Sequence, residues 1–258
     1  MKHAGTMKKE IYNQIQTIEQ THWWYVARRK IIFDWVFRTL SDNPALRVLD
    51  IGCGTGFNIE YLGNNGYSHV TGLEFSNEPL TYCRSRNLKD LVYGDGARPP
   101  LRHESFDVIM ALDLIEHLDN DVQALQEFGR LLKFDGTLII FTPAFNFLWS
   151  LQDKVGHHYR RYTAGELREK LERVGLCVVK LTYVNTFLFP LIWIGRLVLR
   201  ILSDGIQVVS ENDLHPGWSN GLLQAIFAAE RPLLRHANFP FGVSLLCVAK
   251  RRALPTSG

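Results

Sequence analysis

The chain has 258 residues, 46% of them hydrophobic and 21% charged, with a formal net charge of +3. That balance excludes a disordered chain and supplies enough apolar material for a full core. The charge neither demands nor excludes nucleic acid, but no long basic run is present to track phosphates, so no nucleic-acid partner is expected. The four cysteines, Cys53, Cys83, Cys177 and Cys247, stand far apart. No CxxC pair and no Cys/His spacing suits zinc, so no metal is expected. Scattered, core-facing cysteines suit a reducing cytoplasm. The charged start, MKHAGTMKKEIY, has no apolar stretch behind it of the kind a signal peptide needs.

The first element is a helix carrying Thr21-His-Trp-Trp-Tyr-Val-Ala-Arg-Arg-Lys30. Trp23, Trp24, Tyr25 and Arg28 are candidates to close over a pocket, the competing reading being a packing helix with a solvated basic face. From Ala45 to Pro143, apolar runs alternate with amphipathic stretches. Strands are expected at 47–52, 69–75, 90–94, 106–112 and 136–143, with helices at 77–88 and 119–132. Continuous apolar strands separated by helices predict a doubly wound α/β fold with a mostly parallel sheet covered on both faces. Beyond it, Thr163 and Glu166 form a capping box, and Gly175 ends that helix. Two further strands, 177–184 and 242–250, bring the sheet to seven. The expected organisation is an N-terminal helical cap (1–44), a core (45–185), an insertion before the last strand (186–240), and the last strand with its tail (241–258).

The strongest local signal is Val48-Leu-Asp-Ile-Gly-Cys-Gly-Thr-Gly56. Glycines at 52, 54 and 56 let the backbone turn tightly and let a ligand approach without Cβ atoms in the way. The spacing is GxGxG, not the dinucleotide GxGxxG. Asp50, read as an acid inside that loop, would repel a pyrophosphate and suits a ligand with an ammonium and a positive centre. A nicotinamide dehydrogenase is thereby disfavoured. Glu74 ends the second strand at the spacing of an acid that binds ribose hydroxyls. Asp95, in Gly94-Asp-Gly96, is placed to reach an adenine amino group. One acid after each of three strands fits a cationic nucleoside bearing an amino acid.

With "VLDIGCGTG", "GLEFS", "YGDG", "FDVIMALDLIEHL" and "LLKFDGTLIIFTP" in order, the chain resembles the Rossmann-like (class I) S-adenosylmethionine-dependent methyltransferases over roughly residues 45–185. Its "HWW…RR" and "H.RRYT..EL" segments are similar to those of a bacterial type 11/12-like subgroup. The resemblance implies S-adenosylmethionine as cofactor. It places the methionine part at Asp50, Gly52, Cys53, Gly54 and Gly56, the ribose at Glu74 with Phe75, and adenine near Asp95 and Gly96. The Leu112-Asp-Leu114 turn, with Leu112 and Leu114, would line the site from the fourth strand. His117, in the "EHL" stretch, is expected chiefly as cofactor wall, with a general base as the minority reading.

An electrophilic methyl needs an acceptor held in line, and a hydroxyl acceptor also needs a base. Val155-Gly-His-His-Tyr-Arg-Arg-Tyr-Thr163 follows the fifth strand and an aromatic loop containing Phe145, Phe147 and Trp149. It offers His157 or His158 as base, Arg160 or Arg161 for an anionic acceptor, and Tyr159 and Tyr162 as wall. His157 and His158 are too close in sequence to face one ion readily. The stretch 186–202 is too short in its uncharged run to span a bilayer. With Arg196 and Arg200 on one helical face it suits an interfacial, substrate-covering or dimer-forming helix. The expected protein is a cytoplasmic, optionally membrane-peripheral methyltransferase of a small, hydrophobic or anionic, or lipid-linked acceptor, with O-methylation favoured. N- or C-methylation of a quinone precursor or amine, and a non-catalytic cofactor-binding module, are the alternatives.

Overall fold

The computed structural model describes residues 9–202 and 217–252. The outermost termini and residues 203–216 of the expected insertion lie outside the described residues, as does the side chain of Arg200. The strands are β1 (Val48–Ile51), β2 (Val70–Glu74), β3 (Leu91–Tyr93), β4 (Phe106–Leu112), β5 (Leu132–Pro143), β6 (Leu176–Val184) and β7 (Ser244–Arg251). They form one seven-stranded sheet in the order β3-β2-β1-β4-β5-β7-β6. Strands β1 to β5 are parallel, and β7 runs antiparallel to both β5 and β6. The fifth strand begins earlier than its apolar run suggests, because Leu132 pairs with Phe106 ahead of a bulge.

The helices before the centre of the chain are α1 (Lys9–Ile18), α2 (Trp23–Leu40), α3 (Phe57–Asn64) and α4 (Asn77–Ser85). After them come α5 (Asp121–Leu131), α6 (Leu151–Val155), α7 (Ala164–Arg173), α8 (Phe189–Leu202), α9 (Asn220–Ala228) and α10 (Glu230–Leu234). Alternate residues of each strand feed opposite faces, which is the period-two geometry of a strand buried on both sides. Val48, Val108, Met110, Ile139 and Phe141 pack with Ala27, Ile31, Ile32, Val36 and Leu40 of α2. Leu49, Ile51, Ile109, Ala111, Leu138 and Ile140 pack with Ala124, Leu125 and Phe128 of α5 and Leu167 and Leu171 of α7.

The first of these clusters makes α2 a core layer, not a separate cap. Its apolar residues recur at helical spacing and bury a continuous stripe on the sheet. The insertion joins the same side, with Phe227 of α9 and Leu234 of α10 in that cluster. The Asn220 side chain clasps the start of α2, accepting from Trp23 N at 2.7 Å and donating to the Thr21 carbonyl at 2.9 Å. Three of the four cysteines are buried, but Cys177 is exposed, contrary to the core-facing expectation: it faces outward from β6 at the sheet edge.

Candidate active site

All strands pointing the same way as β1 end on one side, and the crevice lies there, as open α/β sheets require. The chain leaves β1 through Gly52, Gly54 and Gly56, which have φ of 75°, 53° and 79°. A Cβ on Gly52 would fall 2.8 Å from Leu114 Cδ1, and one on Gly56 2.8 Å from Cys83 Sγ, whereas nothing lies within 4 Å of one on Gly54. Gly52 and Gly56 therefore permit packing, and Gly54 borders open space. Leu114 is a spacer here, wedged beneath the loops at Gly52 and Gly96, not a cavity wall.

Asp50 is not in the loop. It sits within β1, paired with Gly72 and Met110, and is buried. Burial pushes its carboxyl up to about 7, against a hydrogen bond from Asn58 and the charge of Arg28. Its Oδ2 has no hydrogen-bond partner among the described residues. Glu74 accepts from Gly54 N at 3.1 Å and Ser76 N at 2.9 Å, so the acid after β2 braces the glycine loop. Asp95 accepts from Ala97 N at 2.8 Å and shapes its own turn. Phe75 stacks on Tyr93 with centroids 6.2 Å apart. Glu74, Phe75, Asp95 and Gly96 do not line the main cavity. A clamp that motif reading missed covers the loop: Glu19 accepts from Thr55 Oγ1 at 2.7 Å and pairs with Arg86, which also pairs with Glu60 and donates to the Thr55 carbonyl at 3.1 Å.

The cavity, about 600 Å³, runs from Cys53 and Gly54 to the ends of β4, β5 and β6. That volume lies within the usual range for small-molecule sites. Trp23, Trp24, Tyr25 and Arg28 of α2 line it, and Leu112 joins them. Arg28 is buried, stacks over Trp24 and Phe141 at 5.1 and 4.8 Å, and pairs with Asp113 at 2.5 Å. Asp113, the middle residue of the Leu112-Asp-Leu114 turn, lines the cavity with a positive φ of 52°. A partner 85 positions away carries no local sequence signal.

The stretch after α6 divides sharply. His158 lines the cavity, and Asp153 holds its Nδ1 at 2.8 Å. Burial alone would raise the Asp153 carboxyl, but hydrogen bonds from His158 and Arg161 hold it well below the usual range. His117 stands edge-on to His158 with ring centroids 4.5 Å apart, and burial drives its imidazole down to about 3. His157 is exposed and off the cavity, so it is not a candidate base. Tyr159 is exposed, and Arg160 donates to the Asp119 carbonyl at 2.7 Å and pairs with Asp121; neither lines the cavity. Tyr162 is fully buried, its hydroxyl donating to Asp121 at 2.8 Å, and is no acceptor wall. Arg161 reaches the cavity, but its guanidinium is committed to Asp153 at 2.8 Å and to the Ala144 carbonyl at 3.1 Å. Phe145 and Phe147 stack on each other off the cavity, and Phe145 on Tyr183 at 4.8 Å, anchoring the root of α8. The expectation of no metal constellation also changes: ligand atoms of Glu116, His117 and His158 lie within 4.8 Å of one another and could hold an ion.

A mostly parallel seven-stranded sheet, a glycine turn after β1 and an acid ending β2 define a Rossmann-like cofactor-binding domain. Residues 49–140 match the family described as methyltransferase domain. That stretch is a methyltransferase domain of the Rossmann-like, S-adenosylmethionine-dependent kind. It is 30% identical over 120 residues to the human protein named "Probable tRNA methyltransferase 9B", covering 45% of this chain and 24% of the relative. It is 30% identical over 105 residues to the ubiquinone biosynthesis O-methyltransferase of Hahella chejuensis, covering 38% of this chain and 44% of the relative. The chain thus spans less than half the length of these two relatives. A solved S-adenosylmethionine-dependent methyltransferase from Thermotoga maritima shares the fold, with a TM-score of 0.57, 17% identity and coverage of 97% of this chain and 100% of that one. A tRNA enzyme among the relatives leaves the expected absence of a nucleic-acid acceptor without support. The residues present fit the cofactor: open space at Gly54 and the unpartnered Asp50 oxygen suit an amino-acid moiety carrying positive charge.

Proposed function

We propose that the protein methylates a hydroxyl oxygen of a small, largely apolar acceptor. One observation carries this reading: a single cavity joins the Cys53–Gly54 loop to a histidine held by a buried carboxylate, beneath walls supplied by Trp23, Trp24, Leu188 and Ile192. S-adenosylmethionine, when bound, supplies an electrophilic methyl group. Asp50 and the glycine loop hold its amino-acid part, and Glu74 braces that loop. Asp153 fixes His158 through Nδ1, which leaves Nε2 to take the proton of the acceptor hydroxyl. His117, kept neutral by burial, presents an uncharged edge beside it. Arg28 and Asp113 fix the polar rim at the end of β4.

The exposed face of α8 supports a hydrophobic or lipid-linked acceptor. Leu191, Trp193, Ile194, Leu197 and Val198 are exposed, and Leu191, Ile192 and Gly195 also line the cavity. No helix among the described residues is long and apolar enough to cross a membrane. Contact at an interface is the geometry such a helix suits.

The test is calorimetry with S-adenosylhomocysteine, followed by transfer of labelled methyl to a panel of phenols and hydroxylated lipids. Product formed on oxygen, with turnover unchanged by a chelator, is expected. Collapse under chelation, restored by a divalent ion, would move the base's role to an ion at Glu116, His117 and His158. Failure to bind S-adenosylhomocysteine would sink the reading.

A further inference from the structure

Asn185 follows β6 directly and lines the cavity at the end remote from the glycine loop. Its side chain is fully buried, yet neither Oδ1 nor Nδ2 has a hydrogen-bond partner among the described residues. Buried side-chain amides are normally satisfied, and one left with both ends bare in a cavity wall is waiting for something. The backbone there is left-handed, with φ of 60°. Asparagine tolerates that region better than most residues, but glycine does so more readily, so the turn alone does not require the amide. The position is also fixed from behind. Buried Glu230 accepts from Asn185 N at 2.7 Å and from Phe187 N at 2.8 Å, locking the backbone from which the amide projects.

We infer that Asn185 reads a second polar group of the acceptor, one that offers a hydrogen-bond donor and an acceptor side by side, as a carboxamide or lactam does. An asparagine meets such an edge with two parallel hydrogen bonds, Nδ2 donating and Oδ1 accepting. The inference rests on the reading of Asp113 and His158 as the methyl-receiving end. In the sheet, β4 and β6 are separated by β5 and β7. Three inter-strand steps put the backbones of the two ends roughly 14 Å apart. Side chains reaching inward from each end leave room for an elongated acceptor, with its methylated hydroxyl at one tip and its amide-like group at the other. Leu188 and Ile192 add apolar lining to the same cavity.

The experiment compares the wild-type chain with Asn185→Gly and Asn185→Asp. Asn185→Gly fits the left-handed backbone and removes a group with nothing to lose, so its melting temperature should equal or exceed that of the wild type. A clear drop would show a structural partner and overturn the inference. With S-adenosylhomocysteine saturating, three probes are titrated: 3-(4-hydroxyphenyl)propanamide, the matching carboxylate, and 4-propylphenol. Two net hydrogen bonds should favour the amide over propylphenol by about tenfold in the wild type. That preference should vanish in Asn185→Gly and weaken in Asn185→Asp, which keeps the shape but loses the donor. Equal preference in all three proteins would overturn the inference. Titration of S-adenosylhomocysteine alone separates the two levels: if it fails in the wild type, the methyltransferase reading falls; if it holds while the probes do not discriminate, only the role of Asn185 falls.

Discussion

The two halves of the crevice are built by different means. On the cofactor side, the ends of β1, β2 and β3 are held by residues of one motif series, with Glu74 on Gly54 and Leu114 under Gly52 and Gly96. On the side proposed for the acceptor, the wall is built from pairs that motif order does not announce: Arg28 with Asp113, His117 with His158, and Asn185 clamped by Glu230. The first half is a turn that a glycine pattern encodes. The second is a set of buried polar groups whose orientation depends on α2, the stretch after α6, and the insertion together. Mutations should separate the halves, leaving one function while removing the other.

The largest separation is expected at His158. His158→Gln should leave S-adenosylhomocysteine affinity intact and cut turnover by about 10²–10⁴-fold, the usual worth of a positioned general base. Equal turnover in the variant would remove the base from this side of the cavity. Next comes Arg161→Ala, read by chemical unfolding. Both nitrogens facing Asp153 are 2.8 Å from a fully buried carboxylate, and removing them strands that charge. A loss of about 3–5 kcal/mol is expected for breaking such a pair from one side. A loss below about 1 kcal/mol would mean that His158 alone satisfies Asp153.

The cofactor side should answer to pH instead. Asp50 is raised to about 7 in the free protein, so lowering the pH through 7 leaves the acid neutral and removes its attraction for an ammonium. S-adenosylhomocysteine should therefore bind roughly tenfold more weakly at pH 6 than at pH 8. Asp50→Asn should bind weakly at both and show no slope. A wild-type slope that persists in Asp50→Asn would assign the titration to another group. The same shift carries a stability sign: the folded state keeps the Asp50 proton where the unfolded chain has lost it. Its contribution is fully present below the ordinary carboxylate range and is lost as the pH rises toward 7.

The contrast also explains what was legible in the sequence. Strand positions were readable because continuous apolar runs have few other uses at that length, and the glycine turn was readable because φ near 75° admits little else. The placement of Asp50 in a loop failed because a motif gives order, not the residue at which a strand stops. The segment from His157 to Tyr162 was the hardest. Six polar and aromatic residues in a row carry no period, and the fold distributes them: His158 to the cavity, Arg161 to Asp153, Arg160 and Tyr162 to Asp121, His157 and Tyr159 to solvent. Asn185 was invisible for a different reason. An asparagine after a strand reads as turn chemistry, and only the fold shows that its amide is bare.

The smallest expected effect sharpens that distribution most. Tyr162 sits one residue from Arg161 and four from His158, yet its hydroxyl points away from the cavity to Asp121 and the Ile115 carbonyl, at 2.8 and 3.2 Å. Tyr162→Phe removes one donor from a carboxylate that still has Lys170 and Arg160. The cost should be about 1 kcal/mol by thermal or chemical unfolding, the ordinary net value of one hydrogen bond. Turnover and the affinity for S-adenosylhomocysteine should both stay at the wild-type level. A fall in turnover without loss of stability would return Tyr162 to the acceptor wall. The buried Asp121 cluster would then have to be part of the site, and the division between the two halves would lie further from the cavity than the geometry places it.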